Sequence, residues 1–283
     1  MSLLRDAEGR VRAPYVVAVF AAIAVVIELG LALLMTLAGF HHFETLDSPR
    51  VIFSTLPSLL AGVAATVFSW LAFREPTGLN DLRVLPKFGA GFLIGGAALT
   101  LCCAMPAFVG ATSLTLNPRG LAVVGMGALQ LLTLAPAGIG EELLLRGLGF
   151  QALRRGLGSV GAVALTSVVF GALHLFNPGA TWLAALEVAL VGAWFGALTV
   201  RTGSVWMSMG LHVAWNFFEG FVFGQPVSGN APGTSLFVAG TEGHPGFWSG
   251  GAFGPEAAGW TAVVLTAGLA LTVGFPRRSA VLT

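Results

Sequence analysis

Long apolar runs separated by short polar stretches are the main pattern of this sequence. A membrane-spanning helix needs about 20 mostly apolar residues, and eight segments reach that length. The predicted spans are Pro14 to Phe40, Val51 to Phe73, Phe88 to Ala111, Leu121 to Leu153, Leu157 to Phe176, Thr181 to Val200, Gly203 to Gly224 and Ala257 to Phe275. The pattern therefore predicts an all-α polytopic membrane protein, with about eight transmembrane helices in a single transmembrane domain over residues 1–283.

The composition agrees with a bilayer environment. Hydrophobic residues make up 55% of the chain and charged residues 10%, with a mean hydropathy of +0.85, whereas soluble domains carry about 25% charged residues. A net charge of +1 excludes binding of nucleic acid through a basic surface. Cys102 and Cys103 are adjacent within an apolar run, so no disulfide framework is expected. The lipid bilayer is the first predicted partner, and nucleic acid is not one.

Basic residues predict the orientation. If the N-terminus is cytoplasmic, all basic residues except Arg50 and Arg119 fall in cytoplasmic segments, which places both termini in the cytoplasm. The first apolar run is about 27 residues long and contains Glu28, so we expect a retained helix rather than a signal peptide. Thirteen Arg against one Lys, with abundant Ala and Gly, indicate a GC-rich bacterial genome. The expected location is the bacterial inner (plasma) membrane, in a multi-pass arrangement.

The fourth predicted span is irregular. Leu121 to Leu153 exceeds one membrane crossing, and Pro136, Gly138 and Gly140 interrupt it just before two glutamates. Because Pro removes a helical hydrogen bond, we expect a broken helix here, with the freed backbone groups satisfied in a protein-lined cavity.

Two further segments stand out by composition. Gly192 and Gly196 lie four residues apart, a spacing that permits close approach of helices. The longest connection, Gln225 to Glu256, is rich in Gly, Pro and Ser, and we expect no packed fold there.

Ionisable side chains at membrane depth carry most of the functional information. Each costs about 2.5–3.5 kcal/mol at a helix centre, so each needs a partner or a purpose. The residues of this kind, with one uncharged companion, are Glu28, Glu141, Glu142, Arg146, His174, Glu187, His212, Glu219 and Asn216.

The first polar cluster is Glu141-Glu142-Leu-Leu-Leu-Arg146. Glu142 and Arg146 are four residues apart, share one helical face and can pair, whereas Glu141 points about 100° away. One carboxylate is thereby held ionised while the other is available as a general base. The alternative is an ordinary ion pair at a cytoplasmic helix end.

The second and third clusters are Phe170-Gly-Ala-Leu-His174 and His212-Val-Ala-Trp-Asn216. A spacing of four places His212 and Asn216 on the same face, where they supply hydrogen-bond donors to an oxyanion. A lone intramembrane histidine is more often a packing residue. Two histidines, a Glu pair and an Asn on three apolar segments favour a shared polar site.

These three clusters, in this order, resemble the motifs of the CPBP family of intramembrane proteases, which includes the CAAX prenyl endopeptidases and the bacterial Abi proteins. The similar region, a CPBP-like catalytic core, runs from Ala135 to Phe218 (135–218). Thr202-Gly203-Ser204, just upstream of the third motif, also resembles the family's lead-in. The resemblance implies an eight-helix fold around a conical intramembrane catalytic cavity and the hydrolysis of peptide bonds.

Carried over residue by residue, the resemblance assigns roles. Glu141 and His174 would activate a water molecule, and His212 with Asn216 would stabilise the oxyanion. As supporting residues, Glu142 and Arg146 would orient the first glutamate, and Phe170 would pack beside His174. The implied substrate is a membrane-associated peptide or protein, with or without a lipid anchor.

Several alternatives stay open. Glu141, His174 and His212 would also form a His₂Glu zinc set with an open position for water, as in a metalloprotease; we favour a mechanism with no metal cofactor. Other function classes are a proton-coupled transporter and a non-catalytic bacteriocin-immunity or scaffold membrane protein.

The other polar groups receive structural interpretations. Glu28, Glu187 and Glu219 are expected to be protonated carboxyls hydrogen-bonded between helices, although Glu219 shares a face with Asn216 and Glu187 lies between the second and third motifs. A further candidate cation-binding group, expected to be solvated, lies in an external loop and consists of His41, His42, Glu44 and Asp47.

Membrane depth poses a constraint on the shared site. Simple crossings would place Glu141 near the cytoplasmic end of its helix and His174 near the external end of the next helix. We expect the break between Pro136 and Gly140 to let the Glu-bearing helix sit deeper. The alternative is a tilted fifth helix that begins below the membrane.

Overall fold

Nine α-helices form almost all of the regular structure in a computed structural model, which describes residues 5, 6, 8–40, 45–240 and 246–274. The helices are α1 (Ala13–Leu37), α2 (Val51–Phe73), α3 (Val84–Phe108), α4 (Val124–Arg146), α5 (Leu148–Leu173), α6 (Trp182–Thr202), α7 (Trp206–Phe217), α8 (Gly246–Ser249) and α9 (Gly259–Gly274). A π-helical turn, Phe218–Val222, extends α7, and short 3₁₀ turns lie at Gly120–Val123, His174–Phe176 and Pro255–Ala257.

The helices confirm the all-α polytopic membrane fold. Within the described residues, five helical segments are long and apolar enough to cross a membrane, namely α1, α2, α3, α6 and the run Gly120–Phe176 that contains α4 and α5. Helix α9 is apolar but shorter. The described residues also contain a two-stranded antiparallel sheet, in which β1 (Ser113–Leu116) pairs with β2 (Phe237–Gly240).

Packing places α4, α6 and α7 at the centre of the molecule. Helix α2 packs on both α1 and α4, α7 packs on α3 and α4, and α6 packs on α5 and α9. The most apolar window of α6 is 61% buried inside the protein, against 17% for α1, so α1 presents most of its surface to lipid. The first and third polar motifs, on α4 and α7, therefore lie on central helices.

The expected break in the fourth span is not present. Helix α4 runs without interruption through Pro136 to Arg146, so that prediction is wrong. Gly140 has a different role, because a Cβ added there would lie 2.4 Å from the backbone nitrogen of Leu59 in α2. The small residue lets two helix backbones touch, and Thr55 of α2 donates a hydrogen bond to the carbonyl of Thr133 one turn before the proline.

We expect Gly140→Ala to destabilise the protein by about 1–3 kcal/mol, since the new methyl group would push α2 away from α4. Gly125→Ala on the same helix is the matched control, because a Cβ there meets nothing within 4 Å. Thermal unfolding in detergent should show a lower midpoint for Gly140→Ala and an unchanged or higher one for Gly125→Ala. Equal midpoints would show that this close approach does not matter.

The chain bends at two other glycines instead. Gly147 separates α4 from α5, and Gly158, with φ of 73°, divides α5 into two helical stretches. The predicted fourth span, Leu121 to Leu153, therefore ends too late. Residues 159–173 rise about 22 Å at 1.5 Å per residue, which is less than the roughly 30 Å of a hydrocarbon core. This division of α5, rather than a break in α4, allows His174 and Glu141 to reach a common depth.

The described parts of the connection from Gln225 to Glu256, residues 225–240 and 246–256, are packed, contrary to expectation. They supply strand β2, and their Val227, Phe253 and Glu256 are buried. Phe237 stacks on Phe223 with ring centroids 6.1 Å apart. Because Gly, Pro and Ser dominate this segment, its composition did not indicate the few buried apolar residues that hold it in place.

Hydrogen bonds to Asp47 hold part of the same connection in place. The carboxylate of Asp47 accepts hydrogen bonds from the backbone N–H and the hydroxyl of Thr234, both at 2.7 Å, and from the Gln130 amide at 2.9 Å. Asp47 therefore anchors this loop. Its proposed companions His41, His42 and Glu44 lie outside the described residues.

Candidate active site

One polar cavity of about 330 Å³ receives side chains from all three sequence motifs. Glu141 from α4, His174 from the turn after α5, and His212 with Asn216 from α7 all line it. Residues of α2 and of the 225–235 loop complete its wall. The structure thus brings the four predicted catalytic side chains to one place.

Glu142 and Arg146 form a fully buried ion pair beside this cavity. The Arg146 Nη1 lies 2.7 Å from the Glu142 Oε1, and both side chains are 0% exposed. Arg146 also donates to the Gly192 carbonyl at 3.1 Å, and its guanidinium lies 4.8 Å from the Phe170 ring centroid. The pair is therefore part of the protein interior rather than a solvated helix end.

Small residues make room for this arginine. A Cβ on Gly192 would lie 3.0 Å from the Arg146 Nη2 and 3.1 Å from the Cα of Ser167, and one on Gly196 would lie 3.1 Å from Val163. The spacing of these glycines thus provides the close approach of α5 and α6 that the sequence predicts.

His212 lies between the two glutamates. Its Nδ1 is 3.3 Å from the Glu142 Oε1, and its Nε2 is 3.8 Å from the Glu141 Oε2. Because Arg146 keeps Glu142 ionised, that carboxylate accepts a hydrogen bond and Nδ1 of His212 is the donor. Gly95 of α3 fixes the position of α7 here, since a Cβ on Gly95 would lie 2.4 Å from the Leu211 carbonyl oxygen.

His174 is oriented by its own helix. Its Nδ1 lies 2.9 Å from the carbonyl oxygen of Phe170, which can only accept, so Nδ1 carries the proton. In this tautomer Nε2 is the atom that can accept a hydrogen bond. Phe170 also contacts the imidazole edge to face, with ring centroids 4.5 Å apart.

The Thr202-Gly203-Ser204 segment forms the turn that leads into α7. Gly203 ends α6 with φ of 66°, a left-handed conformation suited to glycine. The Ser204 hydroxyl accepts a hydrogen bond from the backbone N–H of Trp206 at the start of α7. This turn sets where α7 begins and therefore places His212 and Asn216 on the face of α7 that lines the cavity.

Several cavity residues were not predicted from the sequence. They are Ser54 and Thr55 on α2, Asn177 after the 3₁₀ turn, and Ser228 and Asn230 in the 225–235 loop. Asn177 lies three residues beyond His174, and that spacing is a signal that could have identified it. The others lie in an apolar run or in the connection expected to be unpacked, where no pattern distinguishes them.

The remaining membrane carboxyls have different environments. Glu28 of α1 is close enough to Glu141 for an electrostatic interaction. Glu187 and Glu219 are buried away from the cavity. Within the described residues, neither oxygen of Glu187 has a hydrogen-bond partner, and Glu219 only faces the backbone N–H of Glu256 without a bond of good geometry. The expected interhelical hydrogen bonds are therefore wrong for these two residues.

The cavity contains the residue types of a catalytic zinc site, two histidines and a glutamate. Glu141, His174 and His212 share the cavity, but no three His, Cys, Asp or Glu side chains in the described part of the chain are grouped so as to hold a metal ion. As they stand, these three side chains therefore do not form a three-ligand set.

Fold and cavity together define a polytopic membrane protein with a buried acid–base site of glutamate, histidine and asparagine. Residues 124–218, about a third of the chain, match the family of type II CAAX prenyl endopeptidases described as Rce1-like. This match is consistent with the CPBP family that the motifs resemble, and it supports an intramembrane endopeptidase in general. A comparison with curated proteins gave no match.

Proposed function

We propose that this protein is an intramembrane endopeptidase that hydrolyses a peptide bond of a membrane-associated protein or peptide. The observation that carries the proposal is the convergence of Glu141, His174, His212 and Asn216 on one cavity. A general base, an oriented imidazole and two oxyanion donors are the groups that amide hydrolysis by water requires. The Rce1-like match supports the same reaction class.

Water activation is assigned to Glu141 and His174. The Glu141 carboxylate takes one proton from a water molecule, and the Nε2 of His174 accepts a hydrogen bond from the O–H that remains, which holds the nucleophile in line. The resulting hydroxide attacks the carbonyl carbon of the scissile peptide bond. Glu141 suits this role because its neighbour Glu142, and not Glu141 itself, is bound to Arg146.

Oxyanion stabilisation is assigned to His212 and Asn216. The carbonyl oxygen gains negative charge when the tetrahedral intermediate forms, and donors fixed in advance stabilise it best. Protonated His212 presents Nε2–H, while its Nδ1–H is held by Glu142. The Asn216 amide supplies the second donor. Glu141 then returns its proton to the leaving amine nitrogen, the C–N bond breaks, and a carboxylic acid and an amine leave.

Location and orientation are part of the proposal. We place the protein in the bacterial inner membrane with both termini cytoplasmic, because the described basic side chains concentrate at one end of the helix bundle. Lys87 donates to the Thr202 carbonyl at 2.7 Å, so the start of α3 and the end of α6 are at this same end. Substrates with and without a lipid anchor are both compatible with a site inside the membrane.

Asn216→Ala tests the proposed reaction in liposomes with a panel of quenched-fluorescent peptides, prenylated and unprenylated. We expect the wild-type protein to cleave at least one peptide, and Asn216→Ala to lower kcat by about 10²–10³-fold with KM nearly unchanged, because an oxyanion donor acts only in the transition state.

Asn80→Ala, in the loop before α3, is the matched control and should cleave at the wild-type rate. Absence of cleavage across the panel would contradict the proposed reaction and favour a scaffold or transport role. Equal cleavage rates for the two asparagine variants would show that Asn216 is not an oxyanion donor.

A further inference from the structure

One end of the helix bundle carries a strong excess of basic residues; we refer to it as the basic end. It comprises the chain before α1, the α2–α3 connection, the first half of α5 and the last turn of α6. The described residues there include eight basic side chains against four acidic ones, Asp6, Glu8, Glu75 and Asp81. The hydrogen bond from Arg83 and the pairing with Lys87 hold the pKa of Asp81 well below its usual range. A surface of this charge attracts anionic lipid headgroups.

A basic cavity of about 380 Å³ opens at this end. Arg10, Arg154 and Arg155 line it, together with Gln151, Ser159 and one acidic residue, Glu75. Arginine is the side chain best suited to phosphate, because its planar guanidinium presents several N–H donors in a fixed geometry.

The arginines of the basic cavity are held in position. Arg154 donates to the Gln151 side chain at 2.9 Å and to the Ser159 hydroxyl at 3.3 Å. Arg155 bonds to Glu75 at 2.6 Å and to Asp6 at 3.1 Å. The Nε of Arg155 is buried without a hydrogen-bond partner among the described residues. Hydrogen bonds and ion pairs thus hold the arginine side chains that line the cavity.

An apolar groove of about 580 Å³ lies beside the basic cavity, between α5, α6 and α9. Val160, Val163, Ala193, Ala197 and Val273 are among the apolar residues that line it. Arg201 lies at its polar end and donates to the Thr272 carbonyl at 3.1 Å. All three helices are apolar, so this groove faces the hydrocarbon region and fits a hydrocarbon chain.

The two spaces meet at Ser159, which lines both of them. The positive φ of Gly158 turns the chain here, so that the arginines before the bend face one space and the valines after it face the other. A ligand that fills both spaces must have an anionic head and an apolar tail joined at the membrane interface.

We infer that the basic cavity and the adjoining groove form a binding site for one anionic phospholipid, with its phosphate among the arginines and one acyl chain between α5, α6 and α9. The second half of α5 begins at this site and ends at Leu173, directly before His174, so a bound lipid would tether the helix next to a candidate catalytic residue. The inference does not depend on the proposed protease activity.

Native mass spectrometry of the full-length protein in detergent tests the inference. The probes are dioleoyl phosphatidylglycerol, dioleoyl phosphatidylcholine and water-soluble glycerol 3-phosphate. We expect one tightly retained phosphatidylglycerol, about tenfold weaker binding of the zwitterionic phosphatidylcholine, and no competition from glycerol 3-phosphate at equal concentration.

Three variants locate the site. Arg154→Gln and Ala197→Leu should each weaken phosphatidylglycerol binding about tenfold, the first by removing a phosphate partner and the second by filling the groove. Arg119→Gln, an exposed arginine at the opposite end, is the control and should bind as the wild type does.

Three results would overturn the inference. Equal retention of the two lipids would remove the anionic headgroup requirement, and competition by glycerol 3-phosphate would indicate a site for free phosphate. Normal phosphatidylglycerol binding by both Arg154→Gln and Ala197→Leu, with unchanged thermal unfolding, would place any bound lipid elsewhere.

Discussion

A Glu141→Gln variant is expected to lose about 10²–10⁴-fold in kcat, because the amide keeps the size of the side chain but cannot take a proton from water. The side chain is 31% exposed and lines the cavity, so the substitution leaves no buried charge behind. Its neighbours His212 and the Glu142–Arg146 pair keep their own contacts. The loss should therefore appear in kcat, with KM and thermal unfolding close to the wild-type values.

Glu187→Gln is the matched control for Glu141→Gln. Glu187 is also a membrane carboxyl, but it is buried away from the cavity. Cleavage within about twofold of the wild-type rate is expected for this variant, since carboxylates outside the site take no part in the transition state. If Glu141→Gln cleaves as fast as Glu187→Gln, Glu141 is not the base.

Arg146→Met is expected to destabilise the protein by about 3–5 kcal/mol, because Glu142 would be left as an unpaired charge in the interior. Both side chains of the pair are 0% exposed, and the guanidinium lies between the rings of Phe170 and Phe195, at 4.8 Å and 5.5 Å from their centroids. Methionine fits this apolar slot without the charge. Unfolding in mixed detergent micelles measures the loss.

The double variant Glu142→Gln with Arg146→Met separates stability from catalysis. It should recover most of the lost stability, because no unpaired charge remains. It should still be inactive, because His212 loses the carboxylate that holds its Nδ1 proton. A double variant no more stable than Arg146→Met, or one that cleaves at the wild-type rate, would contradict this role for the pair.

Local sequence spacing accounts for much of the site. The Glu142–Arg146 pair and the shared face of His212 and Asn216 follow from a helical spacing of four, which holds wherever a helix is continuous. The helices themselves follow from the length of apolar runs, because a bilayer imposes one length on every crossing. Assignment of catalytic roles, by contrast, came from the resemblance and is for experiment to decide.

Long-range packing explains what the sequence could not predict. Pro136 and Gly140 carry the residue signals of a helix break, but α2 packs so closely against α4 that the helix stays continuous. Gly158 is a glycine with no other sequence feature that indicates a bend, although α5 bends there. The contacts of Ser228 and Asn230 with the cavity depend on a loop fixed by distant residues such as Asp47. None of these arrangements can be inferred from spacing along one helix.

Cleavage by protein whose metal content has been measured tests the central claim most directly. The purified protein is treated with a strong chelator, its residual zinc is quantified by mass spectrometry, and peptide cleavage is followed in ¹⁸O-labelled water. The account predicts an undiminished rate at negligible zinc content and one ¹⁸O atom in the new carboxylate, both absent in Glu141→Gln. Loss of cleavage with the chelator and its return with added zinc would contradict the account and favour the Glu141, His174 and His212 metal set.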